Sequence, residues 1–177
     1  RLCIEFICND MIIPFFKEIF GPKCMVGKAD LKEEIAPWAK KWGWEGSVSE
    51  LLKYWFDGEN NINGEVKAFI EEARRKGIGC YLVTNQEKYR TEYLRNEMGF
   101  SDLFDKVYSS AELGCRKPSK EFYKKVFEDV VSEVNLSKNE VLYVDDDEDN
   151  IEAGREFGFE VLLYEKFSDL EEIDIES

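Results

Sequence analysis

From about residue 64 onward the chain alternates short helix-patterned segments with short apolar ones, and this alternation limits its fold more than any other feature. Residues 65–76 place Val66, Phe69, Ile70 and Ala73 at helical spacing, finish in basic residues and meet Gly77, which predicts a helix and its stop. Residues 78–83 are apolar and rich in branched side chains until Thr84-Asn85-Gln86 breaks the run, which predicts a strand with Thr84 at its carboxyl end. The pattern then repeats: a helix over 89–98 ended by Gly99, a short strand over 106–108, and a helix over 119–134 capped by Ser119. A buried-type strand over 141–144 runs into Asp145-Asp146-Asp147, followed by a helix over 150–157 closed by Gly158 and a last strand over 160–164.

Repeated strand–helix units give an α/β fold, a Rossmann-like and mostly parallel sheet with helices on both faces. In such sheets ligands bind beyond the carboxyl ends of the strands. Thr84, Lys117 and Asp145 to Asp147 all fall at or just after such ends, so they are expected to share one crevice. Upstream, 28–44 and 47–56 carry apolar and aromatic residues at helical intervals, with Trp38, Trp42 and Trp55 among them. We read 22–60 as a small helical cap subdomain, whose tryptophans form its core or touch a ligand, and 61–177 as the Rossmann-like core. Residues 1–21 admit two readings, a helix of the core or a degenerate first strand in which Leu2, Ile4 and Phe6 alternate.

Composition removes several classes of function. The absence of histidine excludes Ser-His and Cys-His catalysis and most zinc sites. A formal charge of -14 argues against nucleic acid, whose binding needs clustered cations. No apolar run approaches the ~20 residues that span a bilayer, and nothing resembles a cleavable signal. The five cysteines, Cys3, Cys8, Cys24, Cys80 and Cys115, are scattered without C-x-x-C spacing, which points to reduced thiols and a cytoplasmic protein. Oligomeric state is not legible.

Taken in order, Tyr81-Leu82-Val83-Thr84-Asn85, then Gly114-Cys115-Arg116-Lys117-Pro118, then Val141 to Asp147 with Asn150-Ile151, resemble the second, third and fourth motifs of the haloacid dehalogenase superfamily. The resemblance covers roughly residues 30 to 165. It implies a hydrolase in which one aspartate attacks phosphorus, a second two residues later acts as acid and base, and Mg2+ holds the assembly together. By the same resemblance Asp145 and Asp146 would bind the metal, and Asp147 and Asn150 would orient those ligands. Lys117 would screen the negative charges of nucleophile and phosphate, while Thr84 would donate its hydroxyl, and Asn85 its amide, to phosphate oxygens. Plainer readings stand beside these: a solvated acidic turn, a surface lysine and a helix-capping threonine.

The first motif departs from the family pattern, because no Asp-x-Asp occurs before Asp145. If residues 2–8 were the first strand, Asp10 would be the nearest carboxylate and Ile12 would stand in the acid–base position. The chain begins on Arg1 rather than methionine, and the expectation is a nucleophile upstream of it. The resulting reading is a phosphomonoesterase for a small phosphorylated metabolite. A non-catalytic phospholigand- or protein-binding relative, a phosphotransferase and a dehalogenase remain as alternatives.

Overall fold

In the computed structural model, which describes residues 9–175, each of the six described helices of nine or more residues begins at a side chain that accepts its free amides. Asp30 caps α2 (Leu31–Lys41), and Ser47 caps α3 (Val48–Gly58) through a capping box with Glu50. Asn63 caps α4 (Gly64–Arg75) and Glu87 caps α5 (Lys88–Asn96). Ser119 caps α8 (Lys120–Glu133), and Asp147 caps α9 (Glu148–Phe157). Shorter helices complete the set: α1 (Asn9–Pro14) with a π-helical turn at Phe15–Phe20, α6 (Phe100–Leu103), α7 (Ser110–Leu113) and α10 (Ser168–Glu171). Residues 1–8, on which the strand reading of the opening rests, lie outside the described residues. None of the described helices is long and apolar enough to cross a membrane.

The fold is α/β with parallel strands. Strand β1 (Tyr81–Thr84) pairs with β2 (Lys106–Ser109), setting Thr84 opposite Ser109. Strand β3 (Leu142–Asp145) pairs with β4 (Glu160–Leu163), setting Asp145 opposite Leu163. The run over 78–83 yields a strand only from Tyr81, because the Cys80 amide donates to Asp105 Oδ2 at 2.8 Å instead of to a neighbouring strand.

Instead of one continuous sheet, the described residues form two parallel pairs, and β1 and β3 are each paired along one edge. Apolar strand residues normally sit covered on both faces of a parallel sheet. Here Leu82 and Val83 are only half-buried and Leu142 is 42% exposed, so apolar surface is open along these strands.

Two apolar clusters hold the molecule. One joins Tyr108, Phe122, Tyr123, Val126, Tyr143 and Phe157 between the strands, α8 and α9. The other joins Phe15, Cys24, Leu31, Ile35, Leu52 and Phe56, with Trp38, Trp42 and Trp55 packed against it. Helix α5 ties the second cluster down. Tyr89 donates to Asp30 Oδ2 at 2.6 Å, Tyr93 donates to Asp57 Oδ1 at 2.8 Å, and buried Arg90 donates to the Phe56 carbonyl at 2.9 Å. The Arg90 guanidinium also lies 5.2 Å from the Phe56 ring centre and 5.3 Å from that of Tyr93.

Gly27 brings the same region against α7. Its φ of +66° suits glycine, and a Cβ there would lie 2.3 Å from the Ala111 carbonyl oxygen. Gly27→Ala therefore combines backbone strain with a clash against main chain. We expect a loss of about 3 kcal/mol, read as a lower urea midpoint with an unchanged slope. An unchanged midpoint would mean that the turn does not press on α7.

Candidate functional site

The carboxyl ends of β1 and β3 are joined through one lysine. At the end of β1 the Asn85 side chain grips the backbone of Lys117 from both sides: Oδ1 accepts from the Lys117 amide at 2.9 Å, and Nδ2 donates to its carbonyl at 3.1 Å. From there the Lys117 side chain reaches the end of β3, where Nζ lies 2.5 Å from Asp145 Oδ2. Both partners are nearly buried, with side chains 10% and 7% exposed. The Lys117-Pro118 peptide is cis, and Ser119 begins α8 immediately afterwards.

Asp145 is fully engaged. Its Oδ2 accepts from Lys117 and, at 2.5 Å, from the Tyr143 hydroxyl. Its Oδ1 accepts from the Asp147 amide and from Asn150 Nδ2, both at 3.0 Å. Four donors match the roughly four lone-pair sites of a carboxylate. Burial alone would raise its pKa, but the hydrogen bonds from Lys117, Tyr143 and Asn150 and the charge of Lys117 outweigh it and hold Asp145 below the ordinary carboxylate range. Burial, reinforced by the bond to Asp145, pushes the Tyr143 hydroxyl up, which keeps it a donor.

Asp146, next in sequence, is the reverse case. Its carboxylate is exposed and holds no hydrogen bond or ion pair among the described residues. Asp145 and Asp146 are read together from the sequence as metal ligands, yet the lone pairs of Asp145 are committed to protein donors and only Asp146 is open. Asp147 caps α9 by accepting from the Asn150 amide at 3.1 Å, and buried Asn150 binds Asp145, so these two shape the loop.

Thr84 ends β1 half-buried, and its hydroxyl has no partner among the described residues. It does not cap the next helix, because Glu87 does so, accepting from the Tyr89 and Arg90 amides. Asn85 uses its Oδ1 and one Nδ2 hydrogen on Lys117. Among the described residues no three of Cys, Asp and Glu converge as a metal cluster.

Tyr143 was missed by the sequence reading. The signal was present, since residues two apart on a strand face the same side and Tyr143 stands two before Asp145. Its aromatic ring made it pass for core alone.

A family model described as haloacid dehalogenase-like hydrolase matches residues 8–158. A sesquiterpene phosphatase of Aspergillus oryzae is 33% identical over 97 residues, covering 54% of this chain and 47% of that protein. A D-ribitol-5-phosphate phosphatase of Bacteroides thetaiotaomicron is 28% identical over 133 residues, covering 72% and 62%. The chain thus spans less than two thirds of either relative. Among solved structures, the magnesium complex of a HAD family enzyme from Bacteroides thetaiotaomicron superposes with a TM-score of 0.70 at 20% identity, over 91% of this chain and 83% of that one. A complex of that wild-type enzyme with magnesium and inorganic phosphate gives a TM-score of 0.65 at 19% identity, over 89% and 84%.

Proposed function

The chain belongs to the haloacid dehalogenase-like hydrolases, and on that footing we propose that it is the greater part of a magnesium-dependent phosphomonoesterase for a small phosphorylated metabolite. The observation that carries the reading is Lys117, a nearly buried ammonium strung between the ends of β1 and β3, with the open carboxylate of Asp146 one residue from its anchor.

The nucleophile comes, in this reading, from an apolar strand upstream of Arg1 that ends in Asp-x-Asp and lies between β1 and β3. Three features support that position: the half-sheets are both parallel, β1 and β3 each have one paired edge, and apolar residues on both are left open. The first aspartate attacks phosphorus and the ester oxygen leaves with a proton from the second, after which water hydrolyses the aspartyl-phosphate. Lys117 lowers the repulsion between carboxylate and phosphate, and Thr84 with the Asn85 amide donates to phosphate oxygens.

The donors available fit magnesium. They are hard oxygens, and Mg2+ commonly keeps several waters while using one or two carboxylates and the substrate phosphate. Asp146 would hold the ion with the upstream aspartates, and Asp145, Asp147 and Asn150 would keep its loop in place. When bound, the ion neutralises phosphate charge. The helices over 22–60 form the cap that selects the substrate. Two relatives with phosphatase names and a fold neighbour holding magnesium and phosphate support the class. The net charge of -14 disfavours nucleic acid, and free Cys24, Cys80 and Cys115 accord with a cytoplasmic setting.

The test is to read the coding sequence upstream of Arg1 and assay the extended protein on p-nitrophenyl phosphate with and without Mg2+. We expect phosphate release that stops with a chelator and returns with added Mg2+. Binding of phosphate without any turnover would instead make this a ligand-binding relative, and turnover unaffected by chelation would overturn the metal assignment.

A further inference from the structure

We propose that Tyr143 is a positioning residue for Lys117, sharing one oxygen of Asp145 with the lysine so that the ammonium keeps hydrogens free for an anionic ligand. The inference rests on the site reading given under Proposed function and extends it to a residue of the fourth motif to which that reading assigns no role.

Lysine carries three N–H donors. One is directed at Asp145 Oδ2, and no other hydrogen-bond acceptor holds Nζ among the described residues. An oxygen with two acceptor sites lets a lone ammonium settle at either of them. In this structure the second site is taken by the Tyr143 hydroxyl at 2.5 Å, and the other oxygen is closed by Asn150 and the Asp147 amide. Lys117 is thereby confined to one acceptor site of its anchor, which fixes the direction of the ammonium and leaves its remaining hydrogens for a ligand.

The tyrosine is built to do this without moving. Its ring is buried, packs edge-on against Tyr123 at 5.3 Å and lies 5.8 Å from Lys117 Nζ. Gly154 on α9 makes the room: a Cβ there would come within 2.7 Å of Tyr143 Cδ1. Tyr123 donates in turn to the Asn150 carbonyl at 3.0 Å, so the residue that closes the other Asp145 oxygen is itself held. Every polar member of this network has a partner, which is the condition for a buried polar group to specify one geometry.

Tyr143→Phe keeps the ring and deletes only the hydroxyl. It frees a lone pair on Asp145, which the Lys117 ammonium then occupies, turning it from the ligand. In the full-length protein, we expect inorganic phosphate to bind about 5- to 20-fold more weakly by calorimetry. KM for p-nitrophenyl phosphate should rise in proportion while kcat changes by less than about 3-fold, the mark of lost binding common to ground and transition states. A ring that only packs predicts no difference between Phe and Tyr in either constant, and that result overturns the proposal. Phosphate binding weakened in the Phe variant of a protein that shows no turnover supports the positioning role and sinks the hydrolase reading. A parent protein that binds no phosphate overturns both.

Discussion

Asp146→Asn is expected to abolish turnover while leaving the fold intact. The substitution removes a negative charge from the one carboxylate of the acidic turn that is exposed and without a partner among the described residues, in contrast to Asp145 one position earlier. Hard divalent cations bind anionic oxygen more strongly than neutral oxygen, and a neutral amide is the weaker ligand. Losing a group that acts on developing phosphate charge typically costs two to three orders of magnitude, roughly 3–4 kcal/mol of barrier. Stability should move by no more than about 0.5 kcal/mol, because nothing in the structure depends on this side chain, and removing one of several adjacent negative charges slightly relieves repulsion. The measurement is phosphate release by the full-length protein, over a range of Mg2+, beside a thermal melt. An unchanged rate at the same Mg2+ concentration would refute the metal role of Asp146.

The site was readable in outline because strand ends are readable. Three motifs separated in sequence were expected to meet, and Asn85, Lys117 and Asp145 do meet through direct hydrogen bonds. What the sequence did not provide was the division of labour between adjacent aspartates, which depends on which oxygen faces which donor. In the structure Tyr143 bonds one oxygen of Asp145 and Asn150 the other, and periodicity carries only half of that. Helix α5 teaches the same lesson. Its existence was plain from spacing, but the contacts of Tyr89, Arg90 and Tyr93 with Asp30, Phe56 and Asp57 link residues more than thirty positions apart. No local pattern encodes such pairings. The one mostly parallel sheet was an expectation from the repeated strand–helix units, and the two half-sheets arise because one edge each of β1 and β3 has no partner among the described residues.

Removing the lysine should damage both stability and activity, and a second substitution should separate the two. In Lys117→Met the Asp145 carboxylate, 7% exposed, keeps three neutral donors and loses the one cation that pairs with it among the described residues. Breaking a buried pair in this way strands a charge, and the expected cost is about 3–5 kcal/mol, a large part of the stability of an ordinary domain. Lys117→Met with Asp145→Asn removes the stranded charge as well. With its oxygen in the place of Oδ1 the amide can still accept from Asp147 and Asn150, and most of the lost stability should return, since replacing both members of a buried pair is often nearly neutral. Activity should not return, because no cation then faces the phosphate. Urea denaturation of the parent, both single variants and the double variant gives the coupling energy, and phosphate release by the same four proteins gives the catalytic part. A double variant that recovers both would make Lys117 a structural counter-ion alone, whereas recovery of stability without turnover assigns it to the ligand.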